Sequence, residues 1–527
     1  MTDPTAAANA RSEVAASEIC ELREDVSSSE YFSRDMAPIP AAGRKWGTRD
    51  LAVLWISMSA CIPTYMLASS LIDLGMNWSQ AVLTIFLGNC IVLVPMVLNA
   101  HAGTRYGIPF PVYCRAAFGV RGANVPAMMR ALVACGWFGI QTWIGGMALH
   151  TLLAVWLTDW RTSSPIAGLG ITVPQAACFL AFWGLNIFVV WRGIDSIRLL
   201  LNIKAPLLIA FGLAILAWAY EQAGGLGPML SQPSQFASGQ PKAGEFWKVF
   251  LPALTANVSF WATLSLNIPD FSRYAFSQRD QVLGQTIGLP TTMGLYSFIG
   301  VAVTSATIVI YGSPIWDPVQ LLTKFENPVV LVLAMFALGL ATLATNIAAN
   351  VVGPANDFAH LKPKTISFRI GGLITGVIGI LIQPWRLLEN AAVYIDKWLI
   401  GYSLLLGACG GVLIADYYLI RRRRLDLVGL YRRDGPYWYR GGWNPCALVA
   451  LAAGIGPCLP GFAAAAGLAS VAPIWMRMYD YAWFVSFSAA FVTYAAQMRL
   501  RPPLPFATLC IKRREEELVG ETKDRFR

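Results

Sequence analysis

The stretch SMSACIPTY at residues 57–65 lies in the middle of the first long apolar segment of the chain and contains Pro63. Proline lacks a backbone N–H and disfavours helix at the residue before it, so this segment is expected to break here. A second stretch, TANVSFWAT at residues 255–263, puts small polar and β-branched residues at a comparable depth of the sixth apolar segment. One such interruption is an ordinary kink, but two of them five segments apart are typical of membrane proteins built from two inverted repeats. The sequence therefore predicts broken helices 1 and 6 that face each other.

The composition of the chain is that of a membrane protein. Of its 527 residues, 56% are hydrophobic and 13% are charged, with a mean hydropathy of +0.52, which is far more apolar than a soluble domain. The sequence predicts an all-α integral membrane protein with twelve transmembrane helices, of which 366–385 is the weakest because four glycines dilute it. The predicted helices lie near residues 50–72, 79–100, 125–157, 174–191, 198–219, 246–268, 287–311, 328–353, 366–385, 391–419, 443–465 and 479–498.

Basic side chains are concentrated at one end of the predicted helices. By the positive-inside rule, this distribution places both termini in the cytoplasm. It also accounts for the net charge of +10 without a nucleic-acid partner. The joints after helices 2, 4, 6, 8 and 10 carry the basic residues Arg105, Arg115, Arg121, Arg192, Arg198, Arg273, Arg279, Lys362, Lys364, Arg369, Arg421–Arg424, Arg432, Arg433 and Arg440.

The chain divides into five predicted regions. Residues 1–45 are polar, carry several acidic side chains and lack the apolar core of a signal peptide, so we expect a disordered cytoplasmic tail. Residues 46–225 and 226–425 hold the two five-helix repeats, 426–500 the peripheral helices 11 and 12, and 501–527 a cytoplasmic C-terminal tail. In this arrangement helix 1 corresponds to helix 6, and helix 3 corresponds to helix 8.

The patterns of chemically reactive residues argue against an enzyme, a cofactor and a catalytic metal. The ten cysteines form no CxxC pair, and the three histidines form no HExxH or HxH pattern. The predicted spans also lack paired catalytic carboxylates and a GxSxG elbow. A channel is a third class, but it does not need helices broken around a closed pocket.

The stretch GWFGIQTWIGG at residues 136–146 is the most distinctive part of predicted helix 3. Trp137 and Gln141 lie one helical turn apart on the same face, and the glycines leave room for a close neighbour. A lone pair of this kind more often packs a bundle and links two helices. However, helix 8 carries Asn346 and Asn350 at the same spacing, and an amide at bilayer depth needs a partner from protein, water or ligand. We therefore expect both helices to direct polar groups inward, towards a small, flat, polar ring.

Eight motifs run through most of the chain, from about residue 45 to 440. They are GN at 88–89, NAHAG at 99–103, GIPFPV at 107–112, GWFGIQTW at 136–143, FWATL at 260–264, LNIPDFSR at 266–273, NIAAN at 346–350 and ADYY at 415–418. Together they are highly specific, and they resemble the nucleobase:cation symporter-1 family. Within that family the chain is similar to the plastidic nucleobase transporters of plants and to bacterial uracil and allantoin permeases.

The resemblance implies a LeuT-like fold that works by alternating access, with ten core helices in two inverted repeats and two peripheral helices. It places the substrate ring between Trp137 and Trp261, with Gln141 and Asn350 hydrogen-bonding the edge of the ring. Where hydantoin- and allantoin-type members have an amide in the break of helix 1, this chain has Cys61, a weak hydrogen-bonding group. We therefore expect import of a nucleobase, with uracil or a purine favoured over allantoin, across the plasma (inner) membrane. An allantoin- or hydantoin-type permease and a location in the plastid envelope are the alternatives.

The resemblance also identifies a candidate cation site. Its expected ligands are the backbones of Ser57, Ala60 and Ala341 and the side chains at positions 344 and 345, which are Ala344 and Thr345 in this chain. Ala344 has no side-chain oxygen, so one ligand of a sodium ion is missing. We therefore expect proton coupling, with a weak sodium site as the alternative.

Several charged residues in or near the spans are candidates for coupling or gating. Asp270 is expected either to relay protons or, with Arg273, to cap and order the loop after helix 6. Lys204 lies within predicted helix 5 and is a candidate for an ion pair at an inner gate. Arg130 is expected to extend to the inner interface, and the run Arg421–Arg424 to lie at the membrane surface near anionic lipid.

Overall fold

The computed structural model describes residues 19–22, 24–192, 194–362 and 365–500, without the side chains of Arg161 and of residues 194–205. Across these ranges the chain is almost entirely helical, and extended backbone pairs only in isolated β-bridges. The expected all-α fold class is confirmed.

The helices that carry the fold are labelled in chain order. The N-terminal half contains α1 (Thr48–Ser59), α2 (Ile62–Asp73), α3 (Trp78–Tyr106), α4 (Phe110–Phe118), α5 (Asn124–Leu153), α6 (Val173–Arg192) and α7 (Ile194–Gln222). The C-terminal half contains α8 (Phe246–Phe260), α9 (Ala262–Asn267), α10 (Pro269–Ser272), α11 (Gln278–Tyr311), α12 (Pro328–Asn350), α13 (Val352–Leu361), α14 (Phe368–Leu381), α15 (Val393–Ile420), α16 (Pro445–Ile455), α17 (Leu459–Ala465), α18 (Pro473–Asp480) and α19 (Ala482–Leu500).

All twelve predicted apolar stretches coincide with these helices. By length and apolarity, seven helices of the described residues qualify as membrane spans, and the bent pair α1–α2 makes an eighth. The full count of twelve is not reached by this criterion, because α8 and α14, among others, have only 15 and 14 residues.

The first predicted break lies between α1 and α2, which are bent by 58° relative to each other. Ala60 and Cys61 leave the helical conformation, with ψ angles of 90° and 160°. Pro63 lies in the first turn of α2, where a missing N–H costs no helical hydrogen bond and the fixed φ suits the helix. The proline therefore starts the second half of the broken helix.

The second predicted break is smaller. α8 ends at Phe260, Trp261 takes φ −101° and ψ 5°, and α9 begins at Ala262. The Trp261 carbonyl accepts a hydrogen bond from the Ser265 N–H at 2.8 Å, so the helix resumes within one residue. The interruption is short because β-branched and small polar residues weaken a helix without removing a backbone donor.

The helices pack in two groups that α15 connects. In the first group, α11 lies against α1, α2 and α3, and α3 also contacts α8 and α9. In the second group, α12 lies against α5 and α7, and α5 also contacts α6, α13 and α14. A cluster that includes Phe138, Phe182 and Ile347 gives the second group a hydrophobic core of its own. Because α15 contacts both α8 and α5, it joins the two groups.

Residues 19–47 lie across one end of the bundle, which we call the N-terminal face. Near the end of α3, the Cys20 N–H donates to the Arg105 carbonyl at 2.8 Å, and the Ile39 N–H donates to the Gly107 carbonyl at 2.9 Å. This corrects the expectation of a disordered tail over residues 1–45, because the described residues from 19 onwards are docked. Residues 1–18 and the predicted C-terminal tail, 501–527, lie outside the described part of the chain.

Arg44 holds this N-terminal segment in place. Its side chain is only 1% exposed, and burial lowers its pKa to about 10, so it stays charged at neutral pH. The guanidinium donates hydrogen bonds of 2.8–3.1 Å to the carbonyls of Cys20, Ile39, Thr104 and Arg105. The last two carbonyls belong to the final turn of α3, where carbonyls lack helical donors and favour a cation. The segment is therefore fixed mainly through backbone groups.

Candidate functional site

Trp137 lies in the middle of α5 and is surrounded by aromatic side chains. Its ring meets Phe260 at a centroid distance of 5.2 Å and Trp398 at 5.7 Å, and it meets Tyr394 and Tyr402 at 6.4 Å, always edge-on. Gly136 makes this possible, because a Cβ at that position would lie 2.1 Å from the Trp398 ring. The expected aromatic plate is thus part of a larger cluster.

The three aromatic residues of α15 were not identified from the sequence. Tyr394, Trp398 and Tyr402 are spaced four residues apart, which places side chains on one helical face. That spacing is a signal that the sequence analysis missed, because none of the three residues belongs to a quoted motif.

Trp261, the other predicted stacking residue, occupies the single-residue break between α8 and α9. Its ring meets Phe260 at 5.1 Å and Trp55 of α1 at 5.3 Å. Among the ring contacts of the described residues, Trp137 and Trp261 share Phe260 as a neighbour and do not meet each other. The structure therefore brings the two indoles to one aromatic cluster, with Phe260 in contact with both.

Five buried polar atoms in or next to this cluster have no hydrogen-bond partner among the described residues. Gln141, one turn after Trp137, is 4% exposed and leaves its carbonyl oxygen Oε1 unpaired. The other four atoms belong to aromatic side chains: Trp55 Nε1, Trp261 Nε1, Tyr394 Oη and Trp398 Nε1. An unpaired buried polar group costs about 1–3 kcal/mol, so such groups are rare in native structures unless something outside the protein binds them.

The amides of α12 belong to a separate, paired network. The Asn346 amide donates to the Phe138 carbonyl at 3.2 Å, to Thr142 Oγ1 at 3.0 Å and to Asn186 Oδ1 at 3.2 Å. Asn350 donates to Asn346 Oδ1 at 3.0 Å. Asn186 of α6 is a further member that the sequence did not reveal, because a lone asparagine in an apolar helix carries no spacing signal. Asn346 thus orients Asn350, the residue expected to contact the ligand.

Cys61 lies at the break between α1 and α2. It is 4% exposed, and its Sγ is 3.2 Å from Thr64 Oγ1 in the first turn of α2. Thr64 Oγ1 in turn lies 3.7 Å from Met293 Sδ of α11. The break therefore offers soft, weakly hydrogen-bonding groups where an amide was expected in allantoin-type relatives.

The five candidate cation ligands occupy two places. Ala341, Ala344 and Thr345 are buried on α12, and Thr345 Oγ1 donates to the Ala341 carbonyl at 2.9 Å. Ala60 is buried at the end of α1, and Ser57 is partly buried one turn earlier. Among the described residues, no group of His, Cys, Asp and Glu could hold a metal ion.

Asp270 forms hydrogen bonds with groups other than the expected partner Arg273. Its Oδ1 accepts from the Phe110 N–H at 2.8 Å, at the start of α4, and its Oδ2 accepts from Asn267 at 3.2 Å. Arg273, the expected partner, donates instead to the Asp35 carbonyl at 3.1 Å. The carboxylate stabilises a helix N-terminus. The side chain of Lys204 lies outside the described residues.

Two arginines expected at the membrane surface are buried and paired. Arg130 is 1% exposed and lies 3.1 Å from Asp357 of α13. Arg421 is 4% exposed and lies 2.8 Å from Asp416. A carboxylate within hydrogen-bond distance offsets the cost of burying each guanidinium, so neither side chain has to reach water. The expectation of a surface position is wrong for both, whereas the remaining arginines of the run, residues 422–424, are exposed.

The chain has sequence relatives over most of its length. The profile of the family described as "Permease for cytosine/purines, uracil, thiamine, allantoin" matches residues 38–486. The purine-uracil permease NCS1 of Arabidopsis thaliana is 47% identical over 470 residues, which cover 88% of this chain and 78% of the relative. The allantoin permease of Bacillus subtilis (strain 168) is 38% identical over 509 residues, which cover 95% of this chain and 100% of the relative.

Among solved structures, the chain is similar to Mhp1, which is described as a nucleobase-cation-symport-1 family transporter. The inward facing conformation of Mhp1 superposes with a TM-score of 0.73 at 25% identity, covering 90% of this chain and 95% of that one. A closed conformation with bromovinylhydantoin bound superposes with a TM-score of 0.71 at 25% identity, covering 89% of this chain and 96% of that one. This likeness confirms the LeuT-like membrane fold that the resemblance implied.

Proposed function

This chain belongs to the nucleobase:cation symporter-1 family of permeases for cytosine/purines, uracil, thiamine and allantoin, and we propose that it imports uracil or a purine base by alternating access. It is a nucleobase transporter and not an enzyme, since the family and the relatives are permeases. One observation carries the choice of site. Trp137 and Trp261 both contact Phe260 in one buried aromatic cluster, and Gln141, one turn after Trp137, has an unpaired oxygen. A flat ring with polar edges could use the two indoles as stacking surfaces and this oxygen as a hydrogen-bond partner.

Binding starts with the ring stacking on Trp137. Base–aromatic stacking contributes about 1–3 kcal/mol and tolerates different bases, since every base has a π-face. Phe260 contacts both indoles in this structure, so a ring held between Trp137 and Trp261 requires the Phe260 side chain to turn away. The Gln141 oxygen accepts a ring N–H, and the amide of Asn350 contacts another edge. Specificity then comes from the edges of the ring.

Transport is proposed to result from movement of the two helix groups relative to each other. Relative motion between the group of α1, α2, α3 and α11 and the group of α5, α6, α12 and α14 opens the cluster to each side in turn, as in other transporters built from inverted repeats. The N-terminal face is cytoplasmic in this proposal, in agreement with its basic residues. There, the docked segment held by Arg44 restrains the first group by its attachment to α3.

Counterflow in proteoliposomes tests this function. Vesicles that contain the purified protein and excess unlabelled uracil should accumulate labelled uracil transiently, whereas empty vesicles should not. A competition panel of cytosine, adenine, guanine, allantoin and hydantoin then ranks the substrates. The proposal is refuted if no nucleobase in the panel exchanges, or if the label is chemically changed.

Allantoin is the second candidate substrate. It is favoured by the end-to-end similarity to an allantoin permease, which covers 95% of this chain. Against it stands Cys61, which offers only a weak hydrogen-bonding group at the break of α1 and α2. Strong competition by allantoin together with weak competition by uracil would reverse the order of preference.

Proton coupling is proposed for the driving ion. Ala344 offers no oxygen on α12, and the neighbouring Thr345 hydroxyl is bonded to the Ala341 carbonyl. A sodium ion at this place would lack one ligand, so protons are preferred as the coupling ion and sodium is the alternative.

A plasma (inner) membrane location is proposed, with the plastid envelope as the alternative.

A further inference from the structure

The aromatic face of α15 is the part of the cluster that neither the motifs nor the sequence analysis assigned. Tyr394 and Trp398 lie in the π-helical segment Val393–Leu399, and Tyr402 follows in the α-helical part. Short π-helical segments inside α-helices are frequent at functional sites. All three rings lie within 6.4 Å of Trp137, measured between ring centroids. α15 therefore lines the same space that the substrate ring is proposed to occupy.

Of these three side chains, Tyr402 is the one with a structural hydrogen bond. Its hydroxyl donates to the Ser259 carbonyl at 2.8 Å, two residues before the break at Trp261. This bond fastens α15 to the end of α8. It also fixes the rotation of α15, so that the preceding two aromatic residues face Trp137.

The polar atoms of Tyr394 and Trp398 have no such partner. Tyr394 is 1% exposed and Trp398 is 9% exposed, and both Tyr394 Oη and Trp398 Nε1 are buried without a hydrogen bond. The indole N–H is only a donor, and the phenol O–H is the other donor at this place. Two buried donors without a protein acceptor, beside a stacking surface, are available to an acceptor from outside the protein.

We propose that Tyr394 Oη and Trp398 Nε1 donate hydrogen bonds to the carbonyl oxygens of a substrate ring stacked on Trp137. This inference rests on the proposed function and names the chemical class of its substrate. A ring with two oxo groups and a ring N–H pairs with both donors and with the Gln141 acceptor at once. A pyrimidinedione such as uracil meets that requirement. Adenine has no oxo group and offers these donors only its ring nitrogens, so it should bind more weakly than uracil.

The test measures binding of uracil, 2-pyrimidinone and 4-pyrimidinone to the purified protein, because each pyrimidinone lacks one of the two oxo groups. In the wild type, each missing oxo group should weaken binding on the order of tenfold, the effect of leaving one buried donor unpaired. Tyr394→Phe and Trp398→Phe keep an aromatic ring but remove one donor each. Each variant should bind uracil about tenfold more weakly and should no longer distinguish uracil from one of the two pyrimidinones.

Matched controls separate recognition from packing. Tyr418→Phe removes a hydroxyl of α15 outside the cluster, which donates to the Leu98 carbonyl at 3.0 Å, and Trp183→Phe removes an indole N–H that donates to the Gly376 carbonyl at 2.9 Å. Both controls should keep the wild-type ratio of affinities among the three ligands.

Three results overturn the inference. In the first, the wild type binds the pyrimidinones as tightly as it binds uracil. This measurement uses only the wild-type protein, so it remains valid even if a variant fails to fold. In the second, the Tyr394 and Trp398 variants weaken all three ligands by the same factor. In the third, the wild type binds none of the three ligands, and only that result also refutes the proposed function for uracil.

Discussion

Two groups of buried polar side chains each include residues of α5, and they differ in whether their hydrogen bonds are made. The amide network of Thr142, Asn186, Asn346 and Asn350 is connected by bonds of 3.0–3.2 Å. In and next to the aromatic cluster around Trp137, the oxygen Oε1 of Gln141 and four aromatic donors have no partner among the described residues. Gln141 and Thr142 are neighbours in the chain, yet they belong to different groups.

This difference in hydrogen bonding indicates that the amide network serves stability and that the aromatic cluster serves ligand recognition. A paired network offsets the cost of burying its amides and thus stabilises the contact between α5, α6 and α12. An unpaired group destabilises the protein by its own desolvation, and this cost is recovered only when a ligand binds. Substitutions in the network should therefore change stability, and substitutions in the cluster should change binding.

The largest effect is expected from breaking the network at its centre. Asn346→Leu leaves Asn186 Oδ1 and the Asn350 amide without partners, each at a cost of about 1–3 kcal/mol. Thermal unfolding of the purified protein in detergent should show a clear decrease in midpoint. Gln141→Leu, which removes a group without a partner, is the matched control and should not lower the midpoint. Equal midpoints for Asn346→Leu and the wild type would contradict the distinction between the two groups.

The next effect concerns binding through the two indoles. Trp137→Ala and Trp261→Ala should each weaken substrate binding by about 1–3 kcal/mol, the contribution of one base–aromatic stack. Equilibrium binding of labelled uracil to purified protein measures this loss. Trp156, 64% exposed, provides the control Trp156→Ala, which should bind like the wild type. Wild-type affinity in both test variants would exclude the stacking pocket.

A smaller effect on selectivity is expected from Gln141 and Asn350, the two amides that are proposed to contact the ring. Gln141→Leu removes an acceptor, so ligands with an N–H at that edge should lose on the order of tenfold in affinity, while ligands without it are unaffected. Asn350→Ala should change both selectivity and stability, because Asn350 also donates to Asn346. Competition by a series of ring analogues gives the ratios. Uniform losses across the series would show that neither amide contacts the ring edge.

The smallest effect concerns the ion. Because Ala344 supplies no oxygen, wild-type uptake should persist when choline replaces sodium, fall when a protonophore collapses the pH gradient, and rise as the external pH is lowered. Ala344→Ser restores an oxygen on α12 and should introduce modest sodium stimulation without abolishing transport. If wild-type uptake requires sodium and does not respond to the protonophore, the missing side-chain oxygen at position 344 does not determine the coupling ion.

The sequence by itself determined the features that depend on local patterns. Apolar runs mark the helices because the bilayer sets their length. Pro63 marks the break between α1 and α2 because its missing N–H acts within one turn. The motifs around Trp137 and Asn350 identified the family and the faces that carry its candidate site.

Tertiary structure alone decided which distant groups meet. Asn346 and Asn186 are 160 positions apart, and Arg130 and Asp357 are 227 positions apart, so no local spacing connects either pair. The docking of residues 19–47 was hidden for a different reason, because Arg44 binds backbone carbonyls that every residue type possesses. The same holds for the aromatic residues of α15. They reach Trp137 only because α15 lies between the two helix groups, an arrangement that is set by packing over the whole chain.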